Sequence, residues 1–114
     1  MDNNKGRVEV WHEGEWGTVC GAGLIDQYYN NTGKTNTIKP MGNTVATVVC
    51  KSLGKSKGVP IVTSQDQGER GAGVIWMDNV ECKGHEKNLF QCEFHWSYDE
   101  NSCWHYEDFS VKCS

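Results

Sequence analysis

The sequence predicts a small α+β domain that is cross-linked by disulfides. Three observations predict it: six cysteines in 114 residues, short runs that alternate between apolar and polar residues, and one run with helical spacing. A chain of this length buries only about two thirds of the surface that it exposes when unfolded. Because hydrophobic residues make up 37% of the chain, we expect cross-links to stabilise a modest core.

The first predicted element is a β hairpin. The runs "RVEVW" and "WGTVC" alternate on either side of "HEGE", which has turn composition. In the first run, Val8, Val10 and His12 share one face, and Glu9 and Trp11 share the other. This alternation places the valines toward a core.

A helix of about three turns is predicted in "NTVATVVCKSLG". Its valines and threonines favour strand by propensity, but the apolar residues fall at helical spacing. A good N-cap residue precedes them, and a glycine follows where a helix ends. The residues are Val45, Val48, Val49 and Leu53, with Asn43 as N-cap and Gly54 beyond the C-terminus.

The later elements are short. The run "GVIWMDNVEC" predicts a buried strand, "GHEKNLFQC" a helical turn and "FSVKC" a final strand, with loop over residues 93–102. Trp16 and Trp76 lie in alternating strands, so we expect both in the core.

A long polar segment separates the hairpin from the helix. It is rich in Asn, Thr and Gly and lacks sustained periodicity, so it predicts a mobile loop, most mobile from Tyr28 to Pro40. It contains the sequon Asn30-Asn31-Thr32, which predicts glycosylation at Asn30.

The cysteine count favours three disulfides and an oxidising compartment. No Cys-x-x-Cys pair is present, but His95 and His105 follow cysteines closely, so a structural zinc site is the alternative. Six cysteines allow fifteen pairings, and their spacing does not choose among them.

Four ordered blocks resemble the scavenger receptor cysteine-rich domain: "GRVEVWHEGEWGTVC", "ATVVCKSLG", "GVIWMDNVECKGHEKNLFQC" and "CWHYEDFSVKC". The resemblance implies a curved antiparallel sheet that cradles one main helix plus a short second helix. It also implies the six-cysteine form, with the pairs Cys20–Cys103, Cys50–Cys113 and Cys82–Cys92.

The domain organisation also follows from the resemblance. We expect one domain over residues 6–114, a tail over residues 1–5, and a long polar insertion at about residues 21–42. The strand that the family has before "GRVEV" would be missing or clipped. Since no signal peptide or long apolar run is present, we expect a piece of a larger secreted or surface protein.

Charge and motif content argue against catalysis and nucleic-acid binding. The formal net charge is −4, which is opposite to what nucleic acid attracts. No serine occupies a Gly-x-Ser-x-Gly setting, and cysteines in disulfides provide no thiolate. His12, His85, His95 and His105 therefore have no such nucleophile to serve. The adjacent acids Asp99–Glu100 and Glu107–Asp108 are expected to be solvated or metal-binding rather than catalytic.

The resemblance implies a binding module for protein, polyanionic or microbial-surface ligands, assisted by weakly bound calcium. One family cation site is matched by Glu107, although Gly21 and Ala22 replace its acidic pair and Asp26 is the nearest substitute. A second site is matched by Asp78, with Asn101 one position out of register. The alternatives without a cation are a strand-end cap at Asp78 and a solvated bend at Glu107.

Aromatic residues between Cys92 and Cys113 form a second candidate surface. Exposed aromatics can act as binding hot spots, or they can cover the core where regular structure is scarce. The residues are Trp96, Tyr98, Trp104 and Tyr106.

A structural spacer or an accessory domain of a multidomain protein or protease, with no ligand of its own, is the alternative function. No membrane insertion is expected, and the other partners would be the flanking domains of the parent chain.

Overall fold

The computed structural model describes residues 5–21, 23–30, 33–61, 73–97 and 108–114. Its elements are short strands, one α-helix and one 3₁₀ turn, so the α+β class is confirmed. In chain order they are β1 (Lys5–Arg7), β2 (Glu9–His12), β3 (Glu15–Val19), β4 (Ile25–Asn30), β5 (Gly33–Ile38), α1 (Pro40–Ser52), β6 (Gly58–Pro60), β7 (Ile75–Glu81), the 3₁₀ turn (Leu89–Gln91), β8 (Glu93–Trp96) and β9 (Ser110–Cys113).

The strands form two sheets and a separate hairpin. The four-stranded sheet has the order β2-β3-β7-β8, and the three-stranded sheet has the order β1-β9-β6. The pairing of β3 with β7 is parallel, and every other pairing among the described strands is antiparallel. The expected single antiparallel sheet is therefore replaced by two sheets, one of which is mixed.

The predicted β2–β3 hairpin is confirmed, and its register shows why the prediction for Trp16 is wrong. Both turn residues, Glu13 and Gly14, have positive φ, as in the two-residue turns that match strand twist. This turn sets Trp11 opposite Trp16 and Val10 opposite Gly17. Gly17 shares the buried face of Val10, so Trp16 lies on the other face and is 58% exposed.

Trp76 fills the space that Gly17 leaves. A Cβ added at Gly17 would meet the Trp76 ring and would lie 2.7 Å from Val74 Cγ1. Trp76 itself is buried, and its indole N–H donates a hydrogen bond of 3.0 Å to the Glu15 carbonyl. The prediction that Trp76 belongs to the core is confirmed.

The predicted helix is confirmed, but it begins three residues earlier than Asn43. Pro40 occupies the first turn, where its fixed φ suits the helix and its missing N–H costs nothing. At the other end Gly54 has φ +84° and donates to the Lys51 carbonyl, as predicted for a C′ glycine. Leu53, which was expected on the buried face, lies in the cap and is 56% exposed.

The segment predicted as a polar loop contains a hairpin instead. Strands β4 and β5 pair in continuous register from Ile25 opposite Ile38 to Asn30 opposite Gly33. The base is held by the fully buried Leu24, whose carbonyl accepts from the Lys39 N–H at 3.0 Å. The β-forming Tyr and Thr residues favour this structure over an aperiodic loop.

Two further boundaries differ from the predictions. Strand β8, Glu93–Trp96, occupies part of the predicted loop and pairs with β7. Its Phe94 and Trp96 pack against the core while Glu93 and His95 are exposed, which is strand alternation. Lys5, assigned to a tail, lies in β1 opposite Lys112 of β9.

The core lies between α1 and the two sheets. The helix contributes Val45, Ala46, Val48 and Val49, all buried. The largest fully buried side chains that face them come from the strands and connections: Phe109, Leu24, Met77, Val19, Val80 and Val111.

Candidate functional site

Disulfides hold the framework of the candidate site. The structure contains two of the predicted pairs: Cys50–Cys113, which joins α1 to β9, and Cys82–Cys92, which joins the end of β7 to the 3₁₀ turn. Cys20 is also disulfide-bonded, and its predicted partner, Cys103, lies outside the described residues. The zinc alternative is wrong for the four cysteines in the two described pairs, because their sulfurs are bonded to each other.

The loop closed by Cys82–Cys92 is organised around the buried carboxylate of Glu86. Its two oxygens accept hydrogen bonds of 2.8 Å from the backbone N–H groups of Lys83 and Gly84. The bond from Lys83 is the main cause that lowers the pKa of Glu86 to about 2, although desolvation acts in the opposite direction. Glu86 is therefore ionised at neutral pH and serves the fold.

Glu86 also belongs to the one group of described residues whose spacing would suit a metal ion, together with Cys82 and Cys92. Their potential ligand atoms lie within 4.8 Å of one another. However, both sulfurs belong to the same disulfide, so neither is a thiolate. Both Glu86 oxygens are already used by the backbone, and this group is not a metal centre.

Asp78 is the predicted cation ligand that the structure describes in full. It is buried near the middle of β7, at 6% exposure. Its Oδ1 accepts a hydrogen bond of 2.8 Å from the N–H of Asn79, whose φ is +53°. The β7–β8 register is irregular just after it. This bond to a neighbouring backbone N–H is the one expected if Asp78 acts only as a cap. Oδ2, however, has no hydrogen-bond partner among the described residues.

Most other predicted site residues lie outside the described residues. This is true of Asn101, Glu107, Tyr98, Trp104 and Tyr106. Asp26 lies in β4 opposite Thr37, and Asn30 ends the same strand. Asp78 is therefore the one predicted cation ligand whose side chain lies among the described residues.

Trp96, predicted as part of an aromatic ligand surface, lies in an aromatic cluster. We use this name for His12, Trp76, Phe90, Phe94 and Trp96. The His12 ring stacks on Trp96 with centroids 4.1 Å apart and meets Trp76 edge-on at 4.8 Å. Phe94 also contacts Trp96 edge-on, at 4.9 Å. Because these rings connect β2, β7 and β8, Trp96 contributes to the packing of the sheet. Part of the cluster still reaches solvent: Trp96 and Phe94 are half-buried, and Phe90 is exposed.

Two surface features escaped the sequence analysis. The first is the exposed pair of Trp11 and Trp16, whose rings meet at 5.3 Å on the outer side of the β2–β3 hairpin. A two-residue turn at Glu13–Gly14 would have shown that these residues face each other. The second is an open groove of about 540 Å³ between residues 5–10, the end of α1 and the 3₁₀ turn. No sequence motif marks this groove, because its walls come from distant segments.

Comparison with known families decides the classification. The family model described as the scavenger receptor cysteine-rich (SRCR) domain matches residues 1–114. The chain belongs to this SRCR family. It is 42% identical over 112 residues to Lysyl oxidase homolog 2B of Danio rerio and 39% identical over 111 residues to Macrophage receptor MARCO of Mus musculus. These alignments cover 98% and 97% of this chain, but 12% and 17% of the relatives.

Solved SRCR structures have the same fold. The dimeric form of the SRCR domain of mouse MARCO matches with a TM-score of 0.68 and 38% identity, covering 97% of this chain and 87% of that one. The third SRCR domain of murine neurotrypsin matches with a TM-score of 0.69 and 32% identity, covering 96% and 85%. Because the chain spans less than a fifth of its full-length relatives, only the properties of the domain carry over.

The described residues contain no helix that is long and apolar enough to cross a membrane.

Proposed function

We propose that this SRCR domain is a non-catalytic, extracellular ligand-binding module whose ligand contacts are assisted by weakly bound calcium at Asp78. The proposed ligands are proteins, or polyanionic and microbial-surface polymers. Family membership supports the general role, since the relatives include a macrophage receptor. The disulfides, which form in oxidising compartments, support a secreted or cell-surface location.

The observation that carries this proposal is the environment of Asp78. A carboxylate at 6% exposure is costly to bury unless it is paired. The Asn79 N–H satisfies Oδ1. Oδ2 makes no hydrogen bond to the described residues, and it is not one of their fully enclosed unpaired atoms, so an ion can reach it. Calcium takes carboxylate and amide oxygens, so Oδ2 suits it as a ligand.

Calcium would also reconcile an acidic domain with anionic ligands. The chain has a net charge of −4 and would repel a polyanion without a bridging cation. A bound divalent ion reverses the local charge and can contact both the domain and the ligand. In this role, Asp78 holds the ion, and Asn101 and Glu107 are the proposed additional ligands.

Calcium titration of the isotope-labelled domain tests the proposal. Amide signals around Asp78 should shift with a Kd of about 10⁻⁴–10⁻³ M, the range of extracellular modules. Asp78→Asn should abolish the shifts, while Glu81→Gln, at an exposed position on the same strand, should leave them unchanged. Glu107→Gln and Asn101→Ala should weaken them if those residues complete the ligand set.

Ligand binding needs a separate measurement. Dextran sulfate should bind the wild-type domain in millimolar calcium, and should bind neither in EDTA nor to the Asp78→Asn variant. If dextran sulfate binds equally well without calcium, calcium does not bridge the domain and the ligand, but the domain is still a binding module. If calcium shifts nothing near Asp78, the calcium proposal fails. A domain that also binds neither polyanions nor proteins would be the structural spacer.

A further inference from the structure

The β2–β3 hairpin presents a tryptophan face, defined as Glu9, Trp11 and Trp16. Trp11 and Trp16 are directly opposed in the hairpin register and are 53% and 58% exposed. Their rings meet edge-to-face at 5.3 Å, with an interplanar angle of 65°. Two large apolar side chains that remain exposed side by side are uncommon on a small soluble domain and mark a surface with a partner.

The tryptophan face is bounded and held in place. Thr18, which pairs with Glu9 on the same side of the hairpin, is fully buried, so the exposed area ends there. The hairpin itself is anchored by parallel pairing of β3 with β7. The bond from the Trp76 indole N–H to the Glu15 carbonyl fixes the start of β3. Preformed aromatic side chains of this kind lose little conformational entropy when they bind.

The hairpin that presents the tryptophan face is negatively charged. From Val8 to Val19 the chain carries three glutamates and no lysine or arginine. All three, Glu9, Glu13 and Glu15, are exposed. Two of them lie near a basic side chain: Glu9 Oε2 is 3.8 Å from Nη2 of Arg7, which precedes this stretch, and Glu13 Oε1 is 3.7 Å from Nε2 of His12.

We propose that the tryptophan face binds an arginine- or lysine-bearing extended segment of a partner protein, without calcium. Indole rings attract cations through their π-faces, tryptophan most strongly of the aromatic side chains. Guanidinium groups also stack on such rings and form paired hydrogen bonds with carboxylates. Glu9 lies on the same side of the hairpin as the two rings and supplies such a carboxylate, while Glu13 and Glu15 add negative charge at the turn end of the hairpin.

The same geometry disfavours other occupants. Polyanions and anionic lipid surfaces would approach a hairpin that carries three glutamates, and this like charge repels them. The two indoles are inclined at 65°, so they do not form the flat platform on which a sugar ring or a nucleobase would stack. This binding is therefore distinct from the calcium-assisted binding proposed at Asp78, and it uses a different strand pair.

Titration with a synthetic peptide of alternating arginine and glycine, in EDTA, tests this proposal. The indole N–H signals of Trp11 and Trp16 should shift, while that of the buried Trp76 should not. The double variant Trp11→Thr, Trp16→Thr should weaken binding roughly tenfold. The triple variant Glu9→Gln, Glu13→Gln, Glu15→Gln should also weaken it and should reduce its sensitivity to salt.

Matched controls separate the tryptophan face from general surface effects. Val59→Thr removes an exposed apolar side chain on β6, and Glu81→Gln with Glu93→Gln removes two exposed carboxylates on β7 and β8. Neither control should change the affinity by more than twofold. The glutamate variant keeps both tryptophans, so it tests the proposal even if the tryptophan variant fails to fold.

Three outcomes would overturn the proposal. The first is a peptide affinity that is the same in the wild type and in both test variants. The second is an equal loss in the control variants, which would show binding to net charge alone. The third is a shift of the Trp11 and Trp16 indoles by dextran sulfate in EDTA, which would assign the surface to polyanions.

Discussion

Glu86 shows how a single buried carboxylate organises a loop. It accepts from two successive backbone N–H groups, Lys83 and Gly84, at 2.8 Å each. Gly84 has φ +111°, a conformation that favours glycine and that turns its N–H toward the carboxylate. The disulfide Cys82–Cys92 closes the same loop, so a covalent bond and a charged hydrogen-bond acceptor stabilise it together.

This arrangement predicts acid sensitivity that is specific to Glu86. The folded-state pKa is lowered from 4.5 to about 2, so the stabilisation is fully present above about pH 4.5 and is lost as the pH falls through about 2. Glu86→Gln should therefore lower the free energy of unfolding at pH 7, and its deficit should shrink between pH 5 and pH 2. Urea denaturation at each pH measures this. Glu81→Gln, at an exposed position of β7, is the control, and a Glu86→Gln deficit that stays constant down to pH 2 would contradict the prediction.

At the residue scale, the two tryptophans predicted for the core show what sequence can provide. Alternation alone indicates that Trp16 and Gly17 face opposite sides, but it does not indicate which side is buried. The register that the Glu13–Gly14 turn sets shows that the Gly17 side is buried, because it pairs Gly17 with the buried Val10. The role of Gly17 in admitting Trp76 depends on β7, some sixty residues further along, and no local pattern reports it.

At the element scale, strongly patterned segments were predictable and weakly patterned ones were not. The valine spacing of α1 and the alternation of β2, β3 and β7 gave elements that the structure contains. Asn43 does not mark the start of α1, because Pro40 occupies the first helical turn and the N-cap residue, Lys39, makes no side-chain capping bond. Strands β4, β5 and β8 were missed because their strand-forming residues are interrupted by polar ones.

The β4–β5 hairpin carries a prediction of its own. It pairs with no other described strand, and an isolated two-stranded hairpin is marginally stable in water. Its base is anchored by the Lys39 N–H bond to the buried Leu24. Amide exchange should therefore be slowest near Ile25 and Ile38 and become faster toward Asn30 and Gly33, while Met77 in β7 exchanges more slowly than any of them. Amides of Tyr28 or Thr35 as protected as that of Met77 would show that the hairpin is part of the rigid core.

At the scale of the whole molecule, the fold depends on contacts between distant segments. Strand β1 pairs with β9 at the opposite end of the chain, and β3 pairs in parallel with β7 across the helix. Sequence patterns report local structure, so the division into two sheets could not be predicted from them. For the same reason Asp78 was identified only by resemblance to the family. The tryptophan face depends on the register of the β2–β3 hairpin, and the groove depends on the packing of distant segments.

These long-range contacts predict unequal roles for the two described disulfides. Cys50–Cys113 closes a separation of 63 residues and joins α1 to the last strand, whereas Cys82–Cys92 closes a separation of 10. In the loop-entropy model the first stabilises by about 4 kcal/mol and the second by about 3 kcal/mol. The total stability of such domains is about 5–15 kcal/mol. The double variant Cys50→Ala, Cys113→Ala should therefore lose more stability than Cys82→Ala, Cys92→Ala.

Chemical denaturation of the two double variants under non-reducing conditions measures the difference. The Cys82–Cys92 variant should also lose the Glu86 loop, which amide exchange at Lys83 and Gly84 would report, since these groups donate to its carboxylate. In the Cys50–Cys113 variant, protection should fall in α1 and β9 together, because the bond connects them. A larger loss of stability from the shorter disulfide would mean that native contacts in the Glu86 loop, rather than chain entropy, dominate the stability of the domain.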